Sequence, residues 1–263
     1  MWSEKLNRLL NITVLKGFAY LLMGSMWGGG IVSSDVKDED ARDERLFYTV
    51  ERNAKVFKDA DSSQVSFQLK FRESIDLIER QGRWSLVERE DGSVGYVASS
   101  AISNIWIRIS KRKKSVYVYR GTQLIKRYVA DFGNNVVSDK IQRGNLRSPD
   151  DWRTPEGTFF VVSKNPNSKF YKALVLNYPN AEDARRGFRQ GLISQREYQA
   201  IVKAEENASI PPMNTMLGGW IEIHGDGTGG GTNWTQGCIA IENDKMDELW
   251  PLIKVGTPVL TEY

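Results

Sequence analysis

The sequence predicts a mainly β protein, a small barrel followed by a larger β-sandwich domain that carries one helical insertion. Three observations point there. Between residues 46 and 102, short β-branched and aromatic runs alternate with polar turns at the close spacing of a small barrel. From Ile105 onward, longer runs alternate apolar and polar residues with the period of half-buried strands. Between residues 180 and 207 that alternation gives way to two segments that start with helix-capping residues. At 263 residues the chain has room for two modest domains, each with its own core. Its formal net charge of +3 is mild and forms no concentrated basic stripe, so no nucleic-acid partner is expected.

Lys5, Arg8 and Lys16 precede the apolar run GFAYLLMGSMWGGGIV at residues 17–32. A basic start followed by a short apolar stretch reads as an export signal or, taken over residues 9–32, as an inner-membrane anchor. Residues 1–32 are therefore assigned to export. The expected location is the periplasm or cell envelope. Residues 33–45, SSDVKDEDARDER, are too charged to bury a core and read as a linker.

Residues 46–103 carry expected strands at 47–50, 54–57, 74–78, 84–87 and 95–97, with turns at Gln81-Gly82 and Asp91-Gly92. The second unit spans 104–263. Expected strands at 105–109 and 115–119 flank the basic turn Lys111-Arg112-Lys113-Lys114, read as a solvated hairpin tip, and a third follows at 124–130. Residues 134–154 are polar and punctuated by Gly and Pro, hence a loop, and a strand follows at 158–163. Asn180 caps a helix with Glu182 and Asp183 in its first turn and Gly191 at its end, and Ser194 with Glu197 forms a capping box for a second. Such a pair either packs on the sheet or closes over a cleft. Near the end of the chain, Asn243 reads as the cap of a helix bearing Met246, Leu249 and Trp250, and a closing strand covers 255–262.

Residues 221–240 read IEIHGDGTGGGTNWTQGCIA and hold the only histidine, His224, and the only cysteine, Cys238. Their placement on either side of a glycine-rich loop points to a nucleophile and its base. A free thiol with pKa ~8.5 is mostly protonated at neutral pH, so it needs such a partner. The alternation of Ile221 and Ile223 against Glu222 and His224 makes this a half-buried strand that delivers the imidazole to a cleft. Gly237 permits a sharp turn that brings its own N–H and that of Cys238 toward an attacked carbonyl, as an oxyanion hole requires. One Cys and one His fall short of the ligand set of a zinc site, so no metal and no cofactor are expected. Lone buried cysteines and histidines also occur as ordinary packing residues, and Trp234 serves either to stack on a ligand or to anchor the loop.

These residues carry a resemblance. His224-Gly225, the glycine-rich spacer, Trp234-Thr235-Gln236-Gly237-Cys238-Ile239-Ala240, Asn243, Leu249-Trp250 and Val255-Gly256-Thr257-Pro258-Val259 resemble the L,D-transpeptidase catalytic domain of bacterial cell-wall enzymes. Arg153-Thr154-Pro155-Glu156-Gly157-Thr158-Phe159 and Asn177-Tyr178-Pro179-Asn180-Ala181 extend it upstream, so that it covers about residues 104–263. Gln236 and Ala240 stand where many members have His and Arg or Asn. The resemblance implies 3→3 cross-linking of peptidoglycan stem peptides through an acyl-thioester on Cys238, with His224 as base and the Gly225 carbonyl orienting its ring. It also implies substrate contacts from Arg153, Trp234, Thr235 and Gln236. The same acyl-enzyme resolved by water or a protein lysine would instead give carboxypeptidase action or protein attachment, and a non-catalytic wall-binding protein is the remaining alternative. In the first unit, Gly82-Arg83-Trp84, Asp91-Gly92 and Gly95-Tyr96-Val97 resemble a bacterial SH3-like domain. Trp84 and Tyr96 would bind wall peptide there or fill the barrel.

Overall fold

The computed structural model describes residues 45–60 and 63–263. The expected export segment, and all but the last residue of the charged linker, lie outside them. Among the described residues no helix is long and apolar enough to cross a membrane. The fold is mainly β and divides into two units, residues up to Trp106 together with Tyr119–Ile125, and Ile107–Val118 together with Lys126–Tyr263.

The first unit contains β1 (Leu46–Thr49), β2 (Ala54–Phe57), β3 (Val65–Leu69), β4 (Ser74–Gln81), β5 (Trp84–Glu88), β6 (Val94–Ala98) and β7 (Ile102–Ser103). They hydrogen-bond in the order β3-β2-β6-β5-β4-β1-β7. The end strands β3 and β7 share no ladder among the described residues, so the expected barrel does not close. β7 is two residues long and is used up by β1, while β3 pairs only with β2. β3 is a mostly exposed edge strand whose alternate residues Phe67 and Leu69 reach the core, a strand the sequence reading did not pick out. Gly82 and Gly92 have φ of 59° and 83° with open space around them, so backbone conformation selects glycine in both turns. Phe47, Val56, Leu69, Ile75, Val87, Val97 and Ile102 form the core. Trp84 and Tyr96 stand outside that buried cluster, half-exposed, with the Trp84 ring edge-on to Phe57 at 5.3 Å.

The larger sheet is built from β8 (Ile105–Ser110), β9 (Ser115–Arg120), β10 (Gln123–Val129), β12 (Gly157–Ser168), β13 (Tyr171–Leu176), β14 (Glu222–His224), β16 (Ile239–Ala240) and β17 (Pro258–Glu262). β11 (Phe132–Gly133) and β15 (Asn233–Thr235) pair separately and in parallel. The eight strands hydrogen-bond in the order β10-β9-β8-β17-β12-β13-β14-β16. Strand β12 makes the connection. Its Gly157–Phe160 half pairs with β17, and from Val161 onward it pairs with β13, with irregularities at Val161/Ser163 and Asn165/Ser168. A long bulged strand can serve two half-sheets in this way.

Lys111 departs from its expected place at a solvated tip. It is fully buried, and its Nζ donates to Ser138 O at 2.8 Å, Thr154 O at 3.3 Å and Glu156 Oε1 at 2.6 Å. Three acceptors for three N–H groups, one of them a carboxylate, make burial of that charge tolerable.

Helices α1 (Ala181–Arg189) and α2 (Gln195–Glu206) both begin with complete capping boxes, Asn180 with Asp183 and Ser194 with Glu197. Gly191 follows α1 with φ of 70°. The pair buries Ala184, Ile193 and Ile201 against Leu217, and a Cβ on Gly187 would sit 2.6 Å from a Leu217 methyl. The helices thus buttress the 213–220 segment by packing. The third helix, α3 (Asn243–Leu249), starts at Asn243 itself, whose side chain does not cap it and is used elsewhere.

Candidate active site

Strand β14 pairs in parallel with β16, Ile223 opposite Ile239 and His224 opposite Ala240. Both isoleucines are fully buried on the core side. Cys238 immediately precedes β16, while Glu222 and His224 open and close β14. All three line a cavity of about 740 Å³, together with Lys140, Arg143, Trp152, Lys169, Phe170, Trp220, Trp234 and Gln236 among others.

His224 is held on every side and is only 1% exposed. Its Nδ1 donates to the Gly225 carbonyl at 2.6 Å, and because a carbonyl can only accept, this bond fixes the proton on Nδ1 and leaves Nε2 as a lone-pair acceptor. Phe170 stacks on the ring at 4.5 Å and Trp234 meets it edge-on at 6.2 Å. Burial lowers the imidazole pKa, against the opposing effect of the Gly225 hydrogen bond, so the ring rests neutral and basic. Gly225 tolerates no side chain. A Cβ there would overlap Asn243 Oδ1 and come within 2.8 Å of Tyr171 Cβ. Asn243 accepts from the Asp226 N–H at 2.7 Å, and Ile241 N–H donates to His224 O at 2.9 Å, which ties the turn after the histidine to the end of the chain.

Cys238 is half-buried. Its Sγ–H donates to Trp220 O at 3.3 Å. Burial pushes the thiol up to about 12, and the Glu222 carboxylate adds to the rise. The residue still reaches the cleft, but protein atoms displace most of the water that would solvate a thiolate. A thiol held this high favours its protonated form at neutral pH.

Gly237 has φ of 124°, and a Cβ on it would lie 2.6 Å from Arg153 O, so the turn before the cysteine requires glycine. Its N–H, expected to face an attacked carbonyl, donates instead to Thr235 Oγ1 at 3.2 Å. Thr235 Oγ1 in turn donates to Cys238 O at 2.7 Å. The buried hydroxyl expected to touch substrate is thus consumed in shaping the loop. Arg153 is likewise a brace, donating to Asp150 O at 2.9 Å, Asp139 O at 3.3 Å and Asp150 Oδ2 at 2.7 Å, and its side chain stays out of the cavity. Gln236 and Trp234 do line it.

Asp131 organises the glycine-rich loop and was not singled out from the sequence. Buried at 1% exposure, it accepts from the backbone N–H groups of Thr228 at 2.6 Å and Thr232 at 2.7 Å, from both threonine hydroxyls, and from Trp234 Nε1 at 2.9 Å. Burial alone would raise its carboxyl pKa, but these donors outweigh it and hold the group below its ordinary value. Trp234 is therefore anchored by its N–H and packed on the histidine. No sequence motif marks Asp131, because its partners lie about a hundred positions away. Among the described residues, no group of three or more His, Cys, Asp or Glu side chains is arranged to hold a metal ion.

Chemically, the arrangement suits acyl transfer, with a thiol and a neutral imidazole of fixed tautomer on one wall of a cleft large enough for a peptide. The comparisons with known proteins agree with that class. The model of the L,D-transpeptidase catalytic domain, YkuD, matches residues 104–260, and the chain belongs to this family. YafK of Escherichia coli K12 is 25% identical over 158 residues, covering 57% of this chain and 48% of that protein. The chain spans about half the length of the curated relatives it matches. Among solved structures, Bdellovibrio bacteriovorus Bd1075 is 26% identical, covering 60% of this chain and 47% of that one at a TM-score of 0.39. The L,D-transpeptidase of Xylanimonas cellulosilytica is 16% identical, covering 61% of each chain at a TM-score of 0.37.

Proposed function

We propose that this protein is a cysteine-dependent peptidoglycan L,D-transpeptidase that forms 3→3 cross-links. The observation that carries the reading is the Nδ1 bond of His224 to Gly225 O in the same cavity as Cys238, which leaves Nε2 free to take a proton. As Cys238 Sγ attacks the carbonyl of the third stem residue, its proton passes to Nε2. The Cys238 N–H receives the developing oxyanion, since that of Gly237 is engaged. The C–N bond to the terminal D-Ala then breaks, and its amine leaves with the proton from the imidazolium. A side-chain amine of a second stem attacks the thioester, returns a proton through His224 and restores the thiol. Gln236 and Trp234 supply the cleft rim that meets the peptide. Export, anchoring by residues 9–32 and wall targeting by the first unit belong to the same proposal, and none of these is needed for the chemistry.

The test is incubation of the protein with a purified disaccharide-tetrapeptide and mass analysis of the products. A cross-linked dimer that has lost D-Ala is expected, and Cys238→Ala should form none. Release of tripeptide alone would assign the acyl-enzyme to water. A substrate left unchanged by a protein whose Cys238 also resists acylation would identify a wall-binding protein.

A further inference from the structure

The cavity of Cys238 is lined by three cationic side chains, Lys140, Arg143 and Lys169, and by a single acid, Glu222. The cations are occupied. Lys140 Nζ donates to Asp151 O at 3.2 Å, Arg143 Nη2 donates to Met213 O at 3.1 Å, and Lys169 Nζ lies over the Phe170 ring at 4.8 Å. Glu222 is half-buried, and among the described residues no hydrogen bond or close ion pair holds its carboxylate. Lys169 acts on it electrostatically, but burial outweighs that attraction and raises its carboxyl above the ordinary value. Glu222 is also a close neighbour of the nucleophile. Its backbone N–H and its carboxylate both act on the Cys238 thiol, the N–H lowering and the carboxylate raising its pKa.

The place of Glu222 on its strand sets what it can reach. Glu222 and His224 occupy alternate positions of β14, so both project from the face opposite the buried Ile223, and their Cα atoms are two strand rises, about 7 Å, apart. A nitrogen that hands a proton to His224 Nε2 therefore lies within reach of a glutamate carboxylate on the same face. On the reading proposed above, the second half of the reaction needs such a nitrogen. The incoming side-chain amine attacks the Cys238 thioester from the side that the D-Ala amine has just left, which is the side of His224. In water that amine is an ammonium, with a pKa of ~10.4 for a lysine-like group. Its entry into a cavity that already holds three cations is unfavourable unless a carboxylate pairs with it, and Glu222 is the carboxylate in the lining.

We infer that Glu222 is the acceptor-binding residue, receiving the side-chain ammonium of the second stem and holding it between its carboxylate and His224. The inference rests on the transpeptidase reading and adds to it the group that favours an amine over water. Attack forms the amide C–N bond and breaks the C–S bond. Of the three ammonium protons, one stays on the amide nitrogen, one passes through His224 to Cys238 Sγ, and one passes to Glu222 and on to solvent. A poorly solvated carboxylate accepts that proton more readily than an exposed one. Water, the competing acceptor, is neutral and gains no ion pair. Charge-assisted hydrogen bonds of this kind are strong enough to shift the choice between amine and water about ten- to hundredfold.

The experiment supplies an isotopically labelled disaccharide-tetrapeptide as donor and an excess of unlabelled disaccharide-tripeptide as acceptor, and measures the ratio of cross-linked product to labelled tripeptide by mass. Both products come from one acyl-enzyme, so the ratio is independent of how fast Cys238 is acylated. In the wild type it should rise with acceptor concentration. Glu222→Gln should lower it about tenfold or more through a higher acceptor KM, and Glu222→Asp should restore part of it. An unchanged ratio and acceptor KM in Glu222→Gln overturn the inference and leave the transpeptidase reading intact. The wild type alone supplies a second test. A tripeptide stem that carries its side-chain amine as a guanidinium keeps the charge and the N–H donors but is too weak a nucleophile to attack. It should inhibit cross-linking about tenfold or more better than the analogue with a hydroxyl in that place. Equal inhibition by the two overturns the inference even if the variants do not fold. Hydrolysis alone at every acceptor concentration, or no turnover by the wild type, overturns the transpeptidase reading and the acceptor site with it.

Discussion

At the scale of single residues, the site depends on two glycines and one carbonyl as much as on the thiol and the imidazole. Gly225 is needed because Asn243 Oδ1 and Tyr171 Cβ occupy the space of a side chain, and its carbonyl sets the tautomer of His224. Gly225→Ala should therefore tilt the imidazole, lowering kcat by about 10²–10⁴-fold, the range of a general base, while the thiol remains available to alkylating reagents. Comparison of kcat with the rate of carbamidomethylation checks this, and an unchanged kcat would refute it. Because burial raises the Cys238 thiol, its thiolate fraction is small at neutral pH and grows only in alkali. The rate of alkylation by iodoacetamide without substrate should keep climbing beyond pH 9. A plateau near pH 6 would show a preformed thiolate–imidazolium pair. That Cys238 and His224 form a candidate pair was legible from residue type and spacing, as was the strand that carries the histidine into their shared cavity. The engagement of Gly237 N–H and Thr235 by each other was not, since both fit a substrate-binding loop equally well until the hydroxyl is placed.

At the scale of elements, the glycine-rich loop is ordered by one buried carboxylate. Asp131→Asn keeps the volume but turns one acceptor into a donor facing other donors, and should cost about 2–3 kcal/mol. Since the Asp131 pKa is lowered on folding, its contribution is complete above the unfolded value near 3.8 and disappears as pH falls toward the lower folded value. The variant should thus lose stability at neutral pH and lack this part of the acid limb, which denaturant titrations at pH 7 and pH 3 would reveal. An equal difference at both pH values would count against it. The helices make a simpler case. Asn180→Ala removes the side-chain half of a capping box and should destabilise by about 1 kcal/mol, measured as a shift in denaturation midpoint. The cap at Asn180 and the capping box at Ser194 were readable in the sequence because a cap is local chemistry within four residues. The cap expected at Asn243 failed for the opposite reason, as the turn after His224 claims its side chain from seventeen residues away.

At the scale of the molecule, the buried ammonium of Lys111 joins the first hairpin of the larger sheet to residues 138 and 154–156, the loop that also carries Lys140 and the Arg153 carbonyl beneath Gly237. Lys111→Met should lower stability by about 2–3 kcal/mol, discounted from a fully buried pair because Glu156 is partly exposed, and should also weaken catalysis by loosening that loop. Unfolding and steady-state measurements on one preparation test both effects, and a stable variant with full activity would overturn the coupling. The sequence by itself determined the mainly β class, the caps of the helical insertion, the candidate pair Cys238 and His224, and through several ordered motifs the family. Those features rest on local periodicity, conformational preference and residue chemistry, which a linear pattern records. Tertiary structure alone decided that the first sheet stays open among the described residues, that β12 pairs with both β17 and β13, that Lys111 is buried, that Arg153 braces a loop and that Lys140 lines the cavity of Cys238. Each of these depends on which distant acceptor, edge or wall meets a given side chain, and charge, size and hydropathy are the same whether that partner is protein or water.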